Sequence, residues 1–414
     1  MFLVILYKNS INKYEIAIFC FLIIQLFAIV PSMGGVIDTN ISTAYLLSYR
    51  YGVSSRGLIA TVVDFFTRGG FISNIFVWHF IFCNTVFLSF IISVYLGTII
   101  KRSKDDIKIF FIFLSLLWLS CFTAPVTYFQ YADFGSDEIY AFLILFLIML
   151  LVKKSGIRWL IPLLAIIVMS IHLILVFFYI PFIIILLTYE ILEKNNRNKE
   201  SIILLITTII TIIIVFLSYL LFRRTTFVFK DVNTFYEYLK LKTDLNFTED
   251  FLLYLMFGNL EDHLRNYKDW VNFRFDGKYS ILINLPLVVL FIIFWIKSFR
   301  METEKLMKLF FLIPIAALLY QAVAFFIFFD FGRWMTMVLD VQFMLVFYLC
   351  TRKNKTVLAV SQSITISIKR NYYFVILAFI IMAFLGPVEA MGPSGRINEI
   401  FKHIKQFISF LIPF

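Results

Sequence analysis

Long apolar runs broken by short charged gaps dominate this chain. The runs cover residues 15–33, 72–100, 109–123, 139–152, 201–222, 280–298, 309–329, 335–350 and 373–387, and most are long enough to cross a bilayer as helices. The stretch from Trp159 to Leu192 is flanked by positive charge at both ends, so it must cross twice or not at all. At about 1.5 Å per residue it forms two short helices, and we expect a hairpin that turns near Ser170-Ile171-His172 with its tip below the outer surface. The pattern predicts an all-α, polytopic membrane protein with about eleven spans.

Lys and Arg fall in every second gap. Lys8 and Lys13, Lys101 to Lys108, Lys153 to Arg158, Lys194 to Lys199, Lys297 to Lys308, and Arg352 to Arg370 mark one side, which the positive-inside rule makes cytoplasmic. The N-terminus is then inside and the C-terminus outside. The whole chain, 1–414, reads as one integral-membrane domain with a large outer loop at 223–279 and a tail at 392–414. In that tail Ile397, Phe401, Ile404, Phe407 and Ile408 recur at helical spacing, the signature of a membrane-surface helix. In the first outer segment, residues 44–49 and 58–63 read as short helices lying at the interface.

Composition agrees with this reading. Hydrophobic residues make up 61% of the 414 and the mean hydropathy is +0.91, more apolar surface than a soluble core of this length can use. The net charge of +11 follows from basic cytoplasmic gaps and attraction to anionic lipid, which argues against nucleic acid as a partner. Cys20, Cys83, Cys121 and Cys350 lie inside apolar stretches without CxxC spacing, so neither a disulfide framework nor a metal site is expected. No cofactor motif is present.

The outer gaps hold few charges, and charge at membrane depth is costly unless paired, hydrated or functional. Arg50 and Arg56, with Gly52 and Gly57 between and beside them, offer guanidiniums without obvious local carboxylates, suited to a diphosphate or to lipid headgroups. Asp133, Asp137 and Glu138 supply a general base, a sugar-hydroxyl acceptor or an ion ligand, or simply cap the next span. His172 at the hairpin tip faces whatever cavity exists, with Pro181 expected to loosen the helix behind it. Asp330 and Arg333, one helical turn apart beside Trp334, form either an interfacial ion pair anchored by the indole or a carboxylate and guanidinium facing a cavity. Arg223, Arg224 and Arg274 in the large loop and Asp38 in the first outer segment are secondary candidates. Asp340 and Gln342 in the span 335–350 are the features that favour a transporter.

The many spans, the large outer loop, the Arg50-Tyr-Gly-Val-Ser-Ser-Arg56-Gly-Leu segment, the hairpin from Ile171-His172 to Pro181 and Asp330-Phe-Gly-Arg333-Trp together resemble the Wzy-type polysaccharide polymerases and related C-type integral-membrane glycosyltransferases encoded with bacterial surface glycans. The resemblance covers the layout and no long diagnostic motif. It implies an inner-membrane enzyme that joins undecaprenyl-diphosphate-linked oligosaccharides, with Arg50, Arg56 and Arg333 on the diphosphate. Asp133, Asp137, Glu138, His172 or Asp330 would handle the proton. By analogy with the C-type enzymes, an acidic base in the first outer segment would be Asp38 or Asp64. A chain-length regulator or a flippase is the implied protein partner, and membrane lipid the surroundings. The rivals are a polyprenyl-phosphate-sugar glycosyltransferase and a flippase or transporter.

Overall fold

A computed structural model describes residues 12–29, 37–120, 134–193, 199–222, 227–250, 252–253, 277–327, 331–377, 388–389 and 392–393. Almost all of these residues are helical. Helices α1 (Lys13–Ile29), α2 (Thr39–Ala44), α3 (Gly57–Phe66), α4 (Asn74–Arg102) and α5 (Asp105–Ser120) come first. A second group comprises α6 (Glu138–Leu151), α7 (Ile161–Ile171), the single turn α8 (Leu175–Phe178), α9 (Ile180–Glu193) and α10 (Lys199–Phe222). Then follow α11 (Val232–Lys240), α12 (Gly277–Met301), α13 (Lys305–Phe310), α14 (Ile313–Ile327), α15 (Phe331–Thr351) and α16 (Lys355–Arg370). Val388–Glu389 and Gly392–Pro393 make a short antiparallel pair.

Among the described residues six stretches are long and apolar enough to cross a membrane: Asn74–Arg102, Leu175–Glu193, Lys199–Phe222, Asn284–Met301, Lys305–Ala322 and Trp334–Thr351. The chain is a helical membrane protein. Helix α15 forms the centre, with Met337, Leu339, Val341, Phe343, Met344 and Phe347 fully buried. Helix α10 is at the rim and turns Ile206, Ile210, Ile213, Leu217 and Leu221 outward, as a lipid-facing helix should. Helix α1 lies close along α4 because Gly97 has no side chain there: a Cβ would meet the Glu15 backbone nitrogen at 2.7 Å.

Three local expectations change. Residues 309–329 are not one helix but α13 and α14, parted at Phe311–Leu312. Pro314, in the first turn of α14, cannot donate a backbone bond and would clash with the carbonyl four residues back. Pro181 likewise starts α9 rather than loosening it, a position where its missing N–H costs nothing. The gap 351–372 is mostly the amphipathic helix α16. Asn354 caps it, its side chain accepting from the Val357 N–H at 3.0 Å, and Val357, Val360 and Thr365 face inward.

The basic gaps gather at one end of the bundle. There Gln362 of α16 donates to Asp106 of α5 (2.8 Å), and Thr356 donates to Glu302 after α12 (2.6 Å). Arg158 pairs with Glu200 (2.6 Å), joining the start of the hairpin to α10. Arg352 faces Glu190 and Glu193 at the end of α9.

The interfacial helix expected at 44–49 departs most: the helix lies earlier, at α2, and residues 45–49 are turn and coil. Instead of lying at the interface residues 41–48 are folded into the protein, with Ser42, Thr43, Tyr45, Leu46 and Leu47 buried. Tyr45 donates to the Gly135 carbonyl (2.6 Å) and meets the Tyr140 hydroxyl at 2.9 Å. Burial, then the neighbouring Tyr140, push the Tyr45 phenol well above its ordinary pKa, so it remains a donor. Helix α3 is a helix as expected, with Ile59, Ala60 and Val63 buried and Phe65 and Phe66 exposed.

Candidate functional site

At the end of the bundle opposite the basic gaps, four of the expected residues converge. The hairpin expected between Trp159 and Leu192 is present, and α7 ends where His172 adopts an extended backbone (φ −155°, ψ 118°). That break lifts the imidazole off the helix and turns it toward α6. His172 Nδ1 lies 2.8 Å from Glu138 Oε1, and the Ser136 hydroxyl donates to the other oxygen of the same carboxylate. On the far side of the ring Arg56 donates from Nε to His172 Nε2 at 3.2 Å. Asp137 Oδ1 is 3.9 Å from Arg56 Nη1.

Each member is held by local structure. Glu138 starts α6, where a carboxylate also meets the positive end of the helix dipole. The turn that delivers it needs Gly135, whose φ of +101° suits glycine and whose absent side chain leaves room for Ile81 and Ile41. Arg56 stands just before α3, in a loop locked to the hairpin tip on both sides of His172. Tyr49 donates to the Ser170 carbonyl (2.9 Å), and Leu173 N–H donates to the Ser55 carbonyl (3.0 Å). From outside, Val228 N–H donates to the Tyr51 carbonyl (3.0 Å), and Tyr51 packs on Phe229 and Phe235 from the described part of the large loop. Trp334 completes the floor: its indole is buried against His172 (6.0 Å between ring centroids) and stacked on Phe178 (5.2 Å). It is a packing residue of the site, not the interfacial anchor expected from the sequence.

The cluster is buried: the Arg56 side chain is 11% exposed and those of His172, Asp137 and Glu138 less than that. A guanidinium carries five N–H donors. Among the described residues Arg56 makes one hydrogen bond, from Nε to the His172 ring, so its terminal nitrogens hold none and have one carboxylate near, at 3.9 Å. The geometry suits an incoming oxyanion, which such a fork binds bidentately. No group of His, Cys, Asp and Glu with metal-binding arrangement occurs among the described residues.

The other candidates separate. Arg50 is more than half exposed, lies 4.0 Å from Asp64 and curls over Gly69, so Arg50 and Arg56 both have carboxylate neighbours where the sequence suggested none. Asp38 is exposed ahead of α2, and Asp64 belongs to the Arg50 pair. Asp133, Asp330, Arg223, Arg224 and Arg274 lie outside the described residues, as does the side chain of Arg333; its backbone is in the first turn of α15. Asp340 and Gln342 each accept an indole N–H, from Trp118 (2.9 Å) and Trp295 (2.7 Å), and so act as buried acceptors that fix tryptophans. Ser136, Tyr49 and Trp334 were not expected in the site. Ser136 was legible as a hydroxyl two residues before Glu138, whereas the other two depend on long-range packing.

Comparison with known proteins returns no matching family model, no matching characterised relative and no matching solved structure.

Proposed function

We propose that this protein is a glycosyltransferase of the bacterial plasma membrane that polymerises lipid-linked oligosaccharides, with about eleven spans, the N-terminus inside and the C-terminus outside. The observation that carries the reading is Arg56, a largely buried guanidinium whose terminal nitrogens make no hydrogen bond among the described residues, set 3.9 Å from the Asp137 carboxylate. Depth supports it as well. Helix α6 has 14 residues, about 21 Å, and 157–171 form a run of 15 that opens on a 3-10 turn, about 24–25 Å, against a hydrocarbon core of about 30 Å. A site at their outer ends sits within the membrane boundary, where the diphosphate of a polyprenyl lipid also lies.

In this reaction an acceptor hydroxyl oxygen attacks the anomeric carbon of the donor glycan. The carbon–oxygen bond to the diphosphate breaks, its electron pair leaves with the undecaprenyl diphosphate, and the hydroxyl proton passes to a base. Arg56 binds the leaving diphosphate, where charge develops in a poorly hydrated place and one donor is worth most. We assign proton acceptance to Asp137, the carboxylate 3.9 Å from the Arg56 guanidinium. An anion bound next to a carboxylate makes it a better proton acceptor, which couples donor binding to acceptor activation. The chemical test is Asp137→Asn, expected to leave folded protein that binds donor and makes single repeat units without polymer. Normal polymer from that variant removes Asp137 from the reaction.

A second reading rests on the single guanidinium that the described residues bring to the cluster, which also suits a polyprenyl-monophosphate sugar donor. A deletion strain that keeps its glycan length but lacks a side branch favours that reading over polymerisation.

A further inference from the structure

We infer that Glu138 and His172 are positioning residues that aim Arg56, and not the proton-transfer pair that their chemistry first suggests. The inference rests on the reading of Arg56 as an anion anchor. Arg56 Nε is a donor with no accepting ability, so the His172 Nε2 it approaches at 3.2 Å must present a lone pair. A neutral imidazole has one proton, which therefore sits on Nδ1, the atom 2.8 Å from Glu138 Oε1. Ser136 occupies the remaining oxygen of Glu138. The donors run in one direction, from Arg56 to His172 to Glu138, with Ser136 closing the far end.

The consequence is geometric. A base must offer its lone pair to the substrate hydroxyl, and that of Nε2 is already taken. An arginine held by Nε keeps its two terminal nitrogens together, pointing away from the holding group, which is the fork that grips two phosphate oxygens. The tip of the hairpin is itself fixed to the Arg56 loop through Tyr49 and Ser55, so ring and guanidinium keep their alignment without a rearrangement on binding.

Conservative amides separate the two roles. In His172→Gln the side-chain oxygen can still accept from Arg56, and in Glu138→Gln the amide oxygen can still accept from Nδ1, but neither variant can form a stabilised imidazolium. The experiment measures binding of undecaprenyl diphosphate to purified full-length protein in detergent, with undecaprenol as the uncharged control, alongside glycan length in cells. Arg56→Ala and His172→Ala should weaken diphosphate binding roughly tenfold or more, the scale of a lost charge-assisted hydrogen bond, with undecaprenol binding unchanged. His172→Gln and Glu138→Gln should bind within about threefold of the unmodified protein and still build polymer. If either glutamine variant binds normally but loses polymer by a hundredfold or more, the pair moves protons and the positioning role is overturned. Equal binding of undecaprenol and undecaprenyl diphosphate by the unmodified protein overturns the anion reading itself, with the Arg56–His172 alignment left as fold architecture.

Discussion

Two buried arginines, at opposite ends of the same bundle, are treated in opposite ways. Arg352 faces Glu190 through Nε (3.1 Å) and Nη2 (3.2 Å), and its Nη2 also bonds Glu193. Glu190 further accepts from the Tyr348 hydroxyl at 2.6 Å. Arg56 has one hydrogen bond to an uncharged ring and one carboxylate at 3.9 Å. A cation surrounded by anions joins α9 to α15 and has little left to offer a ligand. A cation surrounded by acceptors weaker than itself is costly to bury, and a fold retains it where a ligand completes the set. The difference separates a staple from a site more sharply than burial does, because both arginines are largely buried.

The largest expected effect is on the staple. Arg352→Ala strands the buried Glu190 beside Tyr348 and should cost about 3–5 kcal/mol of stability, the usual penalty for breaking a buried pair from one side. Thermal unfolding in detergent measures it, and an unchanged midpoint breaks the comparison at its stable end. Arg56→Ala should do the reverse: stability within about 1 kcal/mol of the unmodified protein, with glycan elongation reduced roughly a hundredfold or more. Loss of folded protein without a change in specific activity makes Arg56 a second staple.

Between these lies Gly135, which connects the buried segment 41–48 to the site through its carbonyl bond to Tyr45. Gly135→Ala must hold φ near +101° and push aside Ile81. We expect about 1–3 kcal/mol of destabilisation and weaker diphosphate binding, because Ser136 and Glu138 follow at once in the chain. Binding that survives while stability falls would show that the two are uncoupled.

The staple end also has a group that is easily spared. Lys153 is an exposed residue whose ammonium lies over the Tyr348 ring, and desolvation there, then the charge of Arg352, hold that ammonium below the ordinary lysine range. Removing that charge relieves a repulsion, so Lys153→Met should change stability by less than about 1 kcal/mol. A loss as large as that of Arg352→Ala would make the lysine a member of the staple.

The scaffold was largely legible in the sequence, and the contacts within the site were not. Hydropathy located the helices because lipid leaves a spanning chain little choice but to satisfy its backbone internally, and described residues of several basic gaps meet one another, as Gln362 meets Asp106 and Arg158 meets Glu200. The hairpin near His172 followed from charge at both of its ends and too few residues for two full crossings. Pairing across the chain has no local signature. Arg56 and His172 are separated by 116 positions, and nothing near Arg56 in sequence announces Asp137. The burial of residues 41–48 was missed for a related reason: an apolar segment reads alike whether it rests on lipid or on protein. Trp334 looked like an interfacial anchor because tryptophan favours that layer, but the ring of His172 and the face of Phe178 gave it a place inside.

The smallest expected effect concerns Asp340, the residue that most favoured transport. A carboxylate in the middle of a buried helix is the usual mark of an ion path. Here its Oδ1 accepts from the Trp118 indole at 2.9 Å, while Oδ2 has no hydrogen-bond partner among the described residues. An amide retains the acceptor that the indole needs and removes the cost of burying charge. Asp340→Asn should therefore alter stability by less than about 1 kcal/mol and leave both diphosphate binding and glycan length intact. The transport alternative demands the opposite, since a midplane carboxylate that exchanges a proton or ion cannot be replaced by an amide. Comparing Asp340→Asn with Arg56→Ala in the same strain decides between them: elongation lost in the Arg56 variant alone keeps function at the hairpin tip, while loss in the Asp340 variant moves it to the centre of the bundle.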